Sequence, residues 1–79
     1  MTTIAKYDSS LSTKAACRKE AVRGYNLGLT CLEPWSDDTI LWQLRGFREE
    51  ARRNPGFAYT SLLAASLWAG YYAGKKARK

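Results

Sequence analysis

The sequence predicts a small all-α domain of three helices, and three observations predict it. Ile40, Leu44, Phe47 and Ala51 recur at helical spacing. Asn54-Pro55-Gly56 is a strong stop signal. The eighteen residues from Phe57 to Gly74 carry no charge and are bracketed by Arg52-Arg53 and Lys75-Lys76-Ala77-Arg78-Lys79. The expected helices cover about 13–28, 37–53 and 58–76: a helical pair followed by an added apolar helix. Residues 1–11 read as a polar leader, and 12–79 as one domain ending in a basic tail at 75–79.

In the first helix, Ser12 or Thr13 is placed to accept from free amide hydrogens and cap the N-terminus. Cys17, Ala21, Gly24 and Gly28 follow at spacings of four, three and four, a row of small side chains that lets another backbone come close. Glycine inside a helix costs about 0.5–1 kcal/mol relative to alanine, so Gly24 and Gly28 imply a packing reason. Val22 and Tyr25 flank the row.

Thr30 to Ser36 forms the connection, because Pro34 disfavours helical geometry at Glu33. Trp35 is expected there as a hydrophobic plug. Ser36 caps the second helix, and Asp37 and Asp38 in its first turn oppose the positive end of the helix dipole. Along this helix Ile40, Leu44, Phe47 and Ala51 form the core face, beside a stripe of Arg45, Arg48 and Arg52. Trp42 lies away from the core face, so a second partner is expected there, most simply the third helix. Glu49 and Glu50 are expected to pair with Arg45, Arg52 and Arg53 along the helix.

The third helix is apolar on both sides. Leu63, Leu67 and Tyr71 share one face with Gly70 and Gly74, while Ala58, Leu62, Ala65, Ala69 and Ala73 cover the other. A helix of that kind is buried by two partners, so it is expected to be central, to pair with a second copy as a homodimer through 57–74, or to dock on a target. A membrane span is the competing reading. Eighteen residues rich in Ala, Gly, Ser and Tyr fall short of the roughly 20 lipophilic residues that spanning needs.

Composition narrows the function. Thirteen Lys plus Arg against seven Asp plus Glu give +6, which favours an anionic partner. Ten aromatic residues and 46% apolar content argue against disorder. Cys17 and Cys31 without any His cannot build a four-ligand zinc site within one chain, and no metal or other cofactor is expected. Met1 to Ser10 has no apolar run, which points to the cytoplasm and free thiols. No nucleophile and base arrangement and no phosphate-binding loop is visible, so no catalytic residue is assigned and an enzyme is not expected.

What remains is binding. The candidates for an RNA or other anionic partner are Lys14 with Arg18 and Lys19 with Arg23, each four apart on the first helix, Arg45, Arg48 and Arg52 on the second, and Lys75, Lys76, Arg78 and Lys79 in the tail. Tyr25, Trp35 and Trp42 are the aromatic candidates for contact or packing. Arginine makes bidentate phosphate contacts, and exposed Tyr or Trp stacks on unpaired bases, so the combination suits structured RNA better than major-groove DNA.

Arg23-Gly24-Tyr25-Asn26-Leu27-Gly28, then Pro34-Trp35, then Gly46-Phe47-Arg48-Glu49 resembles the ribosome modulation factor family over about residues 19–51. That family carries an Arg-Gly-Tyr-x-x-Gly motif closing its first helix, a Pro-aromatic connection and a Gly-aromatic-Arg-Glu segment in its second. The resemblance implies a helical pair that binds RNA of the small ribosomal subunit, inhibits translation and promotes inactive, hibernating ribosomes. Residues 52–79 have no counterpart in that family. The alternative expectation is a phage or mobile-element inhibitor that binds and blocks an acidic host protein complex; a small membrane protein is the third. No small-molecule substrate is expected.

Overall fold

The computed structural model describes residues 13–31 and 35–78. Helix α1 spans Thr13–Thr30, α2 spans Asp37–Arg53, a short 3-10 turn covers Pro55–Phe57, and α3 spans Ala58–Arg78. The expected leader, Ser12, Pro34 and the final Lys79 lie outside the described residues. No strand occurs among the described residues. Helices α1 and α3 each run two residues beyond the ends expected from sequence. Thr30 extends α1 with its hydroxyl donating to the Asn26 carbonyl at 3.0 Å.

Helix α3 is central, one of the three placements that its two apolar sides allow. Both α1 and α2 pack against it, and among the described residues they make no contact with each other. Leu63, Ala64, Ala65, Leu67 and Tyr71 of α3 are buried, together with Ile40 and Leu44 of α2 and Ala16 of α1. Burying a Leu or Ile side chain contributes about 1.5–3 kcal/mol, so Ile40 and Leu63, each fully enclosed, anchor the core.

Helices α1 and α3 run parallel and interlock through glycines. Ala21 meets Gly70, Tyr25 meets Gly74, and Gly28 meets Gly74 and Lys75, so both chains advance together. A methyl added at Gly24 would fall on the Leu67 carbonyl oxygen and lie 2.9 Å from the Tyr71 amide nitrogen. One added at Gly70 would fall on the Ala21 carbonyl. The backbones are thus close enough that only hydrogen fits at these positions, the arrangement of small-xxx-small helix pairs.

The buried row on α1 differs from the expected one. It comprises Ala16, Glu20, Gly24 and Gly28, with Cys17 and Ala21 half-buried at its edge. Glu20, in this row, is buried at 6% exposure, and Arg23 Nη1 pairs with it, 3.0 Å from Oε1 and 3.3 Å from Oε2. A buried carboxylate is tolerated only when paired in this way.

Helix α2 runs antiparallel to α3. Its N-cap is Ser36, whose hydroxyl oxygen accepts from the Thr39 amide at 3.2 Å. The Asn54 amide donates to the Glu50 carbonyl at 2.9 Å, and Pro55 starts the turn into α3. Phe47 and Ala51 are half-buried, completing the core face begun by Ile40 and Leu44.

Candidate nucleic-acid interface

The C-terminal half of α3 fastens both ends of the α1–α2 connection. The Trp35 amide donates to the Tyr71 hydroxyl at 3.2 Å, and Lys75 Nζ donates to the Trp35 carbonyl at 2.7 Å. Arg78 donates to the Cys31 carbonyl. Lys75 and Lys76 pair with the two carboxylate oxygens of Asp37 at 2.8 and 2.6 Å. These cations hold the Asp37 carboxyl below the ordinary carboxylate range, and the same contact raises Lys76. Burial, and then the neighbouring Cys31 thiol, push the Tyr71 phenol up.

Two expectations change here. Lys75 and Lys76, expected to face an anionic partner, are engaged within the fold, because antiparallel packing lays the acidic first turn of α2 against the basic end of α3. Trp35, expected as a plug, is 56% exposed; its ring meets Trp68 edge to face at 6.3 Å, and Trp68 meets Tyr71 at 5.8 Å. It roofs a cleft of about 240 Å³ between Leu27, Cys31, Leu67 and Tyr71. That volume lies below the roughly 300 Å³ at which ligand pockets begin.

Trp42 is a third correction. Helix α3 covers only the Ile40 and Leu44 side of α2, and α1 lies beyond α3, so Trp42 stands 67% exposed on the far side. Shallow depressions flank it, one with Asp38 and Arg45 on its walls, the other with Gly46 and Glu50. A methyl added at Gly46 would meet no atom within 4 Å.

The expected basic residues are divided by the fold. Arg18 and Lys19 are exposed on α1, with Lys14 one turn before Arg18, and none of the three has an ion pair among the described residues. Arg23 is committed to Glu20. On α2, Arg45 and Arg48 are exposed, whereas Arg52 pairs with Glu49, and Arg53 approaches it at 3.6 Å. Glu50 takes Asn54 rather than an arginine, at 3.3 Å. Lys14, a binding candidate from its spacing of four to Arg18, is exposed beside it as expected.

Local charge separates the two outer helices. Helix α1 carries four cations and one carboxylate; α2 carries four of each and is neutral. Arg18, Val22 and Tyr25 line one wall of an open apolar groove whose floor is Ala69, Gly70 and Ala73 of α3, with no carboxylate among its lining residues.

No protein-family model, curated protein or solved structure matches this chain. The site is therefore read from its own residues. Among the described residues no cluster of three or more Cys, Asp or Glu could hold a metal ion, and no helix is long and apolar enough to cross a membrane. Cys17 and Cys31 are free thiols.

Proposed function

We propose that this protein is a non-catalytic RNA-binding module that targets ribosomal RNA of the small subunit and restrains translation by favouring inactive ribosomes. The observation that carries the reading is the uncompensated cation row of α1: Lys14, Arg18 and Lys19 are exposed and without ion pairs among the described residues. Arg23, Arg52, Lys75 and Lys76 are matched to carboxylates, and the exposed Arg45 and Arg48 stand on a helix whose charges sum to zero. Phosphates gain most where cations are not already neutralised. Lys14, Arg18, Val22 and Tyr25 share one stripe of α1, so a backbone held by the cations leaves a base within reach of the Tyr25 ring.

The ribosomal target rests on the resemblance over residues 19–51, and the α1 stripe supports RNA as the chemistry. Co-sedimentation with purified small subunits tests the reading. The bound fraction is expected to fall steeply as salt rises and to be lost with Arg18→Glu/Lys19→Glu. Binding unchanged by that pair would refute it.

The apolar floor of the same groove favours a second reading, the inhibitor that blocks a host protein complex. Small side chains at Ala69, Gly70 and Ala73 admit a protein segment at close range. That reading predicts a stoichiometric complex that survives nuclease and moderate salt.

A further inference from the structure

The groove between α1 and α3 is a product of their close approach. Gly70 lies against the Ala21 carbonyl, and on the surface beside that crossing Ala69, Gly70 and Ala73 leave a floor with no side chain longer than a methyl. Arg18, Val22 and Tyr25 form the wall, and Val22 and Tyr25 are exposed. The lining presents only apolar atoms to the groove, so Arg18 contributes its aliphatic stem and holds its guanidinium outside. A flat apolar floor beside an exposed ring suits a planar aromatic group.

Charge decides which planar group. Lys14, Arg18 and Lys19 are exposed and without ion pairs among the described residues, and no carboxylate lines the groove. Glu20, the one carboxylate of α1, is buried and paired with Arg23. A second copy of this +6 chain would bring more cations to a face that offers them no partner. An apolar peptide would fill the floor and leave the cations unmatched. A nucleotide answers both needs, because it joins an anion to a planar ring. Arg18 and Tyr25 stand two turns apart on one wall, about 10 Å along the helix, so a phosphate held by the guanidinium has its linked base beside the ring.

The same lining limits what can be read. Base identity is read by hydrogen bonds to base edges, and a groove that presents no polar atom makes none. The 2′-hydroxyl, which separates RNA from DNA at a site, finds no donor or acceptor there either. A base inside a duplex has both faces covered by its neighbours and cannot stack on Tyr25. We propose that this groove receives an unpaired base whatever its identity or sugar, with Tyr25 stacking on the base and Arg18 holding a phosphate, so that the chain selects single strands over duplex. The proposal rests on the RNA reading of α1 and names the form of nucleic acid that α1 and α3 together accept.

Fluorescence anisotropy at fixed salt tests it, with labelled ten-nucleotide strands of U, A and deoxy-A and a ten-base-pair RNA duplex as probes. The three single strands are expected to bind within about 5-fold of one another, and the duplex at least about 10-fold more weakly. Tyr25→Ala should weaken single-strand binding by about 5- to 150-fold, and Tyr25→Phe should restore it, because the ring and not the hydroxyl stacks. Ala73→Leu, which fills the floor from an exposed position, should cause a similar loss with the helical circular dichroism spectrum unchanged. Duplex binding as tight as single-strand binding overturns the proposal, as does single-strand affinity indifferent to both Tyr25→Ala and Ala73→Leu. A preference of more than about 10-fold for one base, or for RNA over DNA, overturns the claim of a groove that reads neither. In those cases the RNA reading itself survives if Arg18→Glu/Lys19→Glu still abolishes binding; if no probe and no small subunit binds, both fail. If Ala73→Leu spares nucleic-acid binding but breaks a nuclease-resistant protein complex, the groove belongs to a protein and the proposal is wrong.

Discussion

Gly28 and Gly74 pass each other without a side chain between them: a methyl placed on Gly74 would lie 3.1 Å from the Gly28 Cα and on the Tyr25 carbonyl oxygen. This crossing fixes the register of the parallel α1–α3 pair. It also separates two kinds of helical glycine in the chain.

Alanine should therefore act oppositely at two glycines. Gly74→Ala forces the helices apart and should lower stability by about 1–3 kcal/mol, the usual cost of overpacking. Gly46→Ala, with open space for its methyl, should raise it by about 0.5–1 kcal/mol through helix propensity. Urea unfolding of each variant at low protein concentration measures both. Equal signs would contradict the packing described.

The bracket from Asp37 to Lys75 and Lys76 should make stability depend on pH in a defined sense. The Asp37 carboxyl is lowered below its ordinary value of 3.8, so its contribution is present above that pH and is lost as pH falls through the depressed folded value. Lys76 is raised above 10.5, so its contribution is complete below that pH and is lost as pH rises through the still higher folded value. Asp37→Asn should lower the melting temperature at neutral pH. The difference from wild type should close as pH falls below 3.8 through the depressed folded value, and narrow at strongly alkaline pH. A constant difference across the range would exclude the ion pairs as its cause.

Tyr71→Phe removes the acceptor of the Trp35 amide at 3.2 Å and leaves the ring in the core. The expected cost is about 0.5–1.5 kcal/mol. The Trp35 and Trp68 signals in near-ultraviolet circular dichroism should weaken with it, because those rings and Tyr71 form a continuous edge-to-face stack. A loss of stability with the aromatic signal intact would mean that the loop is held elsewhere.

The helices, and the need of α3 for partners on both sides, were legible in the sequence, and for a physical reason. Pro55, the Ser36 cap and the uncharged run to Gly74 act locally or through burial, and both leave strong marks on composition. The glycine spacing on α1 announced a close approach, but the partner helix and the parallel direction depend on tertiary packing and were not readable. Trp42 was misplaced because periodicity gives a residue's direction without saying whether anything stands there. Lys75 and Lys76 read as a free basic tail because Asp37, their partner, is 38 residues from Lys75 in sequence. Arg18 and Lys19 were legible as candidates; that they stay unmatched while Arg23, Arg52 and Lys75 do not is a property of the fold.

Charge reversal should distinguish the helices. Arg52→Glu breaks a pair with Glu49 on a neutral helix and should change RNA affinity little. Lys14→Glu/Arg18→Glu should abolish most of it. Filter binding to a small-subunit RNA fragment at fixed salt compares them. A larger loss from Arg52→Glu would move the interface to α2.

The salt dependence of small-subunit binding, measured for the wild type and for Lys14→Gln/Arg18→Gln/Lys19→Gln, tests the central claim most directly. If the α1 cations meet phosphates, the logarithmic slope of affinity against salt should be smaller in the variant by about 2–3, near 0.7–0.9 for each contact removed. An unchanged slope, or wild-type binding that does not respond to salt, would contradict it.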